Sequence, residues 1–200
     1  MYNQIFMRLL ISIVIISCLN SLSTAAQSPN VYYNKKFKWT ITLPEGLDTV
    51  NTAEWKKMQN KGEEIIEETY GVDMDIKVKT LIVMRYDLFN YFESNYQPYD
   101  TTAFDSYDAG FNEVNELLYN TFKAQIPEAT LDSASSTAVI DGLDFLQYKV
   151  VIRLNDTVEL NWYMFSRLFG SNEFTVNIMT ADRAKEQELM NAFFRSTFGK

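Results

Sequence analysis

From residue 157 to 169 the chain reads TVELNWYMFSRLF. Strand side chains alternate between two faces, so Val158, Leu160, Trp162, Met164 and Leu168 share one side and Tyr163, Phe165 and Phe169 the other. Both sides are apolar over the second half, which predicts a central strand covered on both faces. Parity of pairing then selects its neighbours. Setting Ile152 opposite Leu160, Val150 opposite Trp162 and Tyr148 opposite Met164 keeps apolar against apolar. It also places Arg153 opposite Glu159, an exposed cross-strand pair, and requires a connecting loop of three or five residues. The same test on the other side predicts a three-residue turn, Gly170-Ser171-Asn172, with Leu168 opposite Phe174, Met164 opposite Ile178 and Asn172 left-handed. The strand is thus the middle of a meander with residues 145–154 and 173–180. Its 163–169 end should be covered and its 155–161 end nearer solvent.

The remaining elements follow from periodicity. Residues 37–43 (FKWTITL) alternate apolar and polar and stop at Pro44-Glu45-Gly46, a strand ending in a turn. Asn51 with Glu54 has the form of a helix cap with its capping-box partner. Trp55, Met58, Gly62, Ile65, Ile66 and Thr69 continue at helical spacing until Gly71. The other face of this helix carries Lys56, Lys57, Lys61, Glu63, Glu64, Glu67 and Glu68 and is read as solvated. Residues 74–85 (MDIKVKTLIVMR) form a strand that begins half exposed and ends buried. A second helix, capped by Thr101 or Thr102, aligns Tyr107, Phe111, Val114, Leu118, Phe122 and Ile126 before Pro127 ends it. Its Asp105 and Asp108 suit the positive end of the helix dipole rather than a metal. Asp141-Gly142 marks a tight hairpin. Asp182 caps a last helix with Leu189, Met190, Phe193 and Phe194 on one side, and Phe198 follows it. The predicted order is β-α-β-α-β-β-β-β-α, an α+β chain forming an α/β/α sandwich around a mainly antiparallel sheet of about six strands.

Residues 86–99 (YDLFNYFESNYQPY) show no sustained period and hold Tyr86, Phe89, Tyr91, Phe92, Tyr96 and Tyr99. Read as an aromatic loop, they are the candidate recognition surface, because loops carry function and tyrosine gives large rigid contact area. The alternative is that the rings extend the core over one end of the sheet.

Composition narrows the chemistry. The 200 residues hold 46% hydrophobic and 14% aromatic side chains, enough for one substantial core. The balance of 18 basic against 26 acidic side chains opposes sequence-independent nucleic-acid binding. There is no histidine, which removes His-dependent triads and imidazole metal sites. The single cysteine, Cys18, falls in an N-terminal stretch that reads as a signal peptide over residues 1–26. Arg8 precedes eleven apolar residues at 9–19 (LLISIVIISCL), and Thr24-Ala25-Ala26 offers a small-residue cleavage site before Gln27. That run falls short of the ~20 residues a membrane span needs. Ile15-Ile16-Ser17-Cys18 also resembles a lipobox, so lipidation at Cys18 is the alternative processing. Residues 27–200 are expected to form one domain without a transmembrane span. Asn155-Asp156-Thr157, formally a glycosylation acceptor, is read as turn chemistry.

The opening strand and turn FKWTITLPEG (37–46), the hairpin VIDGLDFLQYKV (139–150) and the closing EFTVNIMTADRAKEQELMNAFFRSTF (173–198) together resemble the PsbP-like and DcrB-like superfamily. That group shares an α/β/α sandwich among extrinsic photosystem II subunits, bacterial envelope lipoproteins and a Ran-binding nuclear import factor. Leu47 stands where a PEGW-type opening carries Trp. The resemblance implies a non-enzymatic accessory or binding module, and it transfers no site residue. The expected function is therefore an exported, periplasmic or secreted binding protein, with another envelope protein or a ligand as partner and no cofactor, metal or catalytic residue assigned. The alternatives are a small hydrolase working with paired carboxylates about 5–10 Å apart, and a lipid-anchored structural subunit held through Cys18.

Overall fold

The hairpin turns and helix caps set the frame. A computed structural model describes residues 31–70 and 77–199. The expected signal peptide 1–26, the expected Gly71 stop and the expected strand start at Met74 lie outside the described residues. So do the side chains of Gly62, Ile65, Ile66 and Thr69 and of Glu63, Glu67 and Glu68. In chain order the elements are β1 (Val31–Asn34), β2 (Trp39–Thr42), β3 (Asp48–Thr49), α1 (Thr52–Tyr70), β4 (Lys79–Asp87), β5 (Asn90–Pro98), α2 (Tyr107–Gln125), β6 (Thr130–Ile140), β7 (Leu143–Arg153), β8 (Glu159–Phe169), β9 (Asn172–Thr180), α3 (Arg183–Phe194) and β10 (Thr197–Phe198). Seven strands form one antiparallel sheet in the order β3-β4-β5-β9-β8-β7-β6, and β1-β2-β10 form a second. The main sheet thus has seven strands where about six were expected, and the opening strand belongs to the smaller sheet.

Two cores lie on opposite faces of the main sheet. One joins Trp55 of α1 and Phe111, Val114, Leu118 and Phe122 of α2 to Tyr148, Val150, Ile152, Leu160, Trp162 and Met164. The other joins Leu189 and Phe193 of α3 and Trp39, Ile41 and Phe198 of the small sheet to Phe92, Phe145, Phe165, Phe174 and Ile178. The second covering layer is therefore part helix and part sheet. β2 suits that role because Trp39 and Ile41 point inward and are fully buried. Tyr32 ties the layer down by donating its hydroxyl to the Leu81 carbonyl at 3.1 Å. The Phe198 amide donates to Asp141 at 2.8 Å, joining β10 to the β6–β7 turn.

Local signals account for the boundaries. Asn51 accepts the Ala53 amide at 2.8 Å and starts α1; Asp182 accepts the Ala184 and Lys185 amides and starts α3. The expected cap of α2 at Thr101 or Thr102 is displaced to Ser106, which accepts the Ala109 amide at 3.0 Å. Thr102 instead closes a local turn on Asp100. Ile126 ends α2 just before Pro127, and its stripe of Phe111, Val114, Leu118 and Phe122 is buried as the spacing predicts. Asp141 (φ 51°) and Gly142 (φ 74°) are both left-handed, the requirement of a two-residue primed turn.

The β7–β8 register agrees with the parity argument, with Ile152 opposite Leu160, Val150 opposite Trp162, Tyr148 opposite Met164 and Arg153 opposite Glu159. β8 is buried from Trp162 to Ser166, while Arg167–Phe169 is only half-buried, so the covering layers centre earlier than expected. The β8–β9 register differs from expectation by one residue. Leu168 faces Glu173, Met164 faces Asn177 and Phe169 faces Asn172. The turn is the two-residue Gly170-Ser171, and Gly170 (φ 60°), rather than Asn172, is left-handed. A one-residue slip exchanges faces. It sends Phe174, Val176 and Ile178 to the α3 core and turns Glu173, Thr175 and Asn177 under α1 and α2.

Candidate functional site

The six aromatic residues do not form one surface. Their segment is not a loop: residues 90–98 are β5, an interior strand between β4 and β9. Tyr91 is 4% exposed and lies on the α1 side, edge-on to Trp55 at 5.6 Å. Phe92 is fully buried on the opposite face between Trp39 and Phe193. Tyr96 is half-buried against Phe37, with the Lys36 ammonium 4.8 Å from its ring centre. Tyr99 packs edge-on to Tyr107 at 5.3 Å. Tyr86 donates to Glu188 of α3 at 2.6 Å, and burial together with that carboxylate pushes its phenol well above the usual range. Phe89, at the β4–β5 turn, is the one of the six with a largely open ring, 41% exposed.

Beneath α1 and α2 the inner strands carry a buried polar row that no motif in the sequence announces. Glu93, Asn95 and Gln97 of β5, Glu173, Thr175 and Asn177 of β9 and Ser166 of β8 are each at most 5% exposed. The Glu173 carboxylate accepts from Ser166 Oγ at 2.6 Å, Gln97 Nε2 at 2.8 Å and Tyr107 Oη at 3.0 Å. Ser166 Oγ lies 2.7 Å from the same Tyr107 hydroxyl, whose single hydrogen is shared between the two acceptors. The Glu93 carboxylate accepts from Trp55 Nε1 at 3.1 Å, Asn177 Nδ2 at 3.1 Å and Asn95 Nδ2 at 3.2 Å. Burial pushes the Glu93 carboxyl up to about 7, against the pull of those three donors. Burial, and then the Glu93 charge, raise the Tyr91 phenol as well. Buried carboxylates are tolerated where donors replace water, and each glutamate has three.

This row does not assemble a carboxylate pair. Glu93 faces Asn177 and Gln97 faces Glu173, so the two glutamates stand four residues apart along the β5–β9 ladder. At ~3.3 Å per residue that separation is ~13 Å, beyond the ~5–9.5 Å over which two carboxylates share a glycosidic bond. Among the described residues no group of three or more acidic or cysteine side chains is placed to hold a metal ion. No described helix is long and apolar enough to cross a membrane.

Among the described residues two concavities lie elsewhere: one beside α3, lined by Thr40, Thr42, Glu188, Asn191 and Arg195, and a more apolar one at the edge of β4. β3 pairs only with Arg85 and Met84 of β4, and the Val50 amide adds one bond to the Val83 carbonyl. Beyond that point the outer edge of β4 borders a recess of about 310 Å3. Its walls include Tyr32, Leu43, Leu47, Leu81, Ile82 and Val83, drawn from β1, the turn after β2 and β4. A mainly apolar recess of this size, with few polar groups on its rim, is fitted to hold apolar groups by burial rather than to turn over a substrate. The departure from the PEGW-type opening falls here, since Leu47 is one of its walls.

No protein-family model matches the chain, and no curated protein sequence does. Its fold does have a counterpart. The solution structure of cyanobacterial PsbP (CyanoP) from Synechocystis sp. PCC 6803 superposes with a TM-score of 0.53, covering 90% of this chain and 98% of that one at 9% identity. A likeness at that identity assigns architecture and no activity: the chain has a PsbP-like fold.

Proposed function

We propose that this protein is an exported, non-enzymatic binding or accessory module whose recess at the β4 edge takes apolar groups of a ligand or partner. The observation that carries this reading is a separation of chemistry from access. The buried carboxyl and hydroxyl groups of the main sheet are tied up under α1 and α2, Glu93 by Trp55, Asn95 and Asn177 and Glu173 by Tyr107, Ser166 and Gln97. The recess at the β4 edge is walled by Leu43, Leu47, Leu81 and Ile82 and lies apart from those groups. Export is supported by Arg8, the apolar run at 9–19 and the small residues before Gln27. The PsbP-like architecture is compatible with an accessory role, as an analogy of fold.

The dye ANS, whose aromatic rings bind apolar surface, tests the recess. Saturable binding that weakens at least tenfold in Leu47→Glu, with the folded circular-dichroism spectrum retained, is the expected result. Binding that is absent, or indifferent to Leu47→Glu, would remove the recess as the site. Processing is tested by the mass of the exported chain. It should begin at Gln27, and Cys18→Ser should leave its membrane fractionation unchanged; a lipid-modified Cys18 as first residue would replace this reading with the anchored one.

A further inference from the structure

β6 is the edge of the main sheet remote from the recess, and it differs from every other sheet edge among the described residues. β3 and β10 have two residues each and β1 has four, the short edges by which proteins limit unwanted pairing. β6 has eleven, TLDSASSTAVI, and runs in unbroken register with β7 from Thr130–Arg153 to Ile140–Leu143. It contains no proline, no lysine, no arginine and no bulge, and its single charge, Asp132, is paired with Arg153. Residues 132–137 are exposed on both faces, and Val139 is 62% exposed. An edge this long and this free of gatekeepers is a template for another strand.

The hairpin fixes which groups it offers. The tight Asp141-Gly142 turn makes Ile140–Leu143 a hydrogen-bonded pair, so alternation leaves the N–H and C=O of Leu131, Ser133, Ser135, Thr137 and Val139 pointing away from β7. One contact corroborates the phase and occupies one of these groups: the Leu131 carbonyl accepts the Tyr119 hydroxyl at 3.2 Å, so the open part of the edge runs from Ser133 to Val139. Among the described residues no strand pairs with this side.

We propose that the occupant of this edge is a second copy of the same chain, paired antiparallel through β6 about a two-fold axis at Ser135. This register maps 130–140 onto itself. It sets Ser135 opposite Ser135, Ser133 opposite Thr137 and Leu131 opposite Val139, so the one exposed large apolar side chain of the strand meets an apolar partner. On the other face Asp132 falls opposite Ala138 and Ala134 opposite Ser136. The two Asp132 carboxylates stand six residues apart along the pair, ~20 Å, beyond the ~8 Å screening length at physiological salt. Sliding the axis by one position in either direction leaves Val139 opposite Ala129 or Ser133 and loses the apolar pair. Small Ser, Ala and Thr side chains present no steric obstacle, and a two-fold contact of one patch with itself closes without propagating.

The test combines mass with cross-linking. In the full chain carrying Cys18→Ser, sedimentation across a concentration series should show a monomer–dimer equilibrium. Ser135→Cys should form a disulfide-linked dimer on mild oxidation, because its mate lies directly opposite. Val139→Cys should not, because its mate is eight residues away, ~26 Å. Ser135→Pro removes an outward N–H that makes no bond to β7, so it should weaken dimerisation at least tenfold at a nearly unchanged melting temperature. Should that variant unfold, Ser135→Lys sets two like charges on the axis and should give the same loss. A monomer at every concentration would overturn the proposal. So would equal cross-linking at 135 and 139, or undiminished dimerisation in Ser135→Lys.

Discussion

Tyr107, on the first turn of α2, donates its hydroxyl to Glu173, two residues into β9, at 3.0 Å, with Ser166 of β8 bonded to both. The triad joins helix to sheet where the sheet surface is polar. It explains how a glutamate that is fully buried can occupy a central strand.

Tyr107→Phe deletes the donor and keeps the ring. Glu173 retains Ser166 and Gln97, so the loss should be that of a buried hydrogen bond, ~0.5–1.5 kcal/mol. Urea denaturation should show a lower midpoint with an unchanged slope. A midpoint equal to that of the parent would mean that the triad contributes nothing to the fold.

Tyr91 separates the two readings of the aromatic segment. Its ring is in the core against Trp55, and its hydroxyl has no hydrogen-bond partner among the described residues. Tyr91→Phe should therefore be neutral or stabilising by up to ~1 kcal/mol, because an unmet polar group leaves the interior. Tyr91→Ala should cost ~3–5 kcal/mol, the range for emptying an aromatic site. If Tyr91→Ala left the melting temperature where it was, the ring would be a surface feature after all.

Gly110 sits inside α2, where alanine would ordinarily gain about 1 kcal/mol of helix propensity. Here a Cβ would lie 2.6 Å from Cδ2 and 2.8 Å from Cγ of Phe104. Overpacking of that kind costs ~1–3 kcal/mol, so Gly110→Ala should destabilise. In a Phe104→Ala background the same change should become stabilising. A double-mutant cycle measures the reversal; equal effects in both backgrounds would show that Phe104 yields freely.

What the sequence revealed and what it hid divide along the polarity of the β faces. The β7–β8 register was legible because Glu159 and Asn161 interrupt one face of β8 and break the tie between alternatives. The β8–β9 register was not. Placing Glu173, Thr175 and Asn177 inward is costly on local evidence alone, and the partners that offset it, Gln97, Glu93 and Tyr107, lie 66 or more positions away in sequence. The same compensation disguised β5 as a loop, since Glu93, Asn95 and Gln97 read as solvent-facing. A partial signal was present: polar residues recur at two-residue spacing at 173-175-177, interleaved with Phe174 and Val176, and at 93-95-97, where Ser94 breaks the alternation. Only the β9 row was regular enough to point to a polar face, and its β5 counterpart was masked by Ser94. The β4-edge recess had no such trace, because its walls come from three separate segments.

Glu93 gives the network a pH signature. Its carboxyl is raised from 4.5 to about 7 in the folded chain, chiefly by burial. The folded state therefore holds this proton more tightly than the unfolded state does. The group's contribution to stability is full below about pH 4.5 and is lost as pH rises through 7. A displacement of this size corresponds to about 3 kcal/mol. Glu93→Gln keeps the shape, cannot ionise and should remove that slope. Its stability relative to the parent should improve by about 3 kcal/mol between acid and mildly alkaline pH. Denaturant midpoints of the two proteins across that window make the comparison, in which every other titrating group cancels. Parallel curves would show that Glu93 ionises in the folded chain as it does in the unfolded one, its three donors having fully offset the cost of burial.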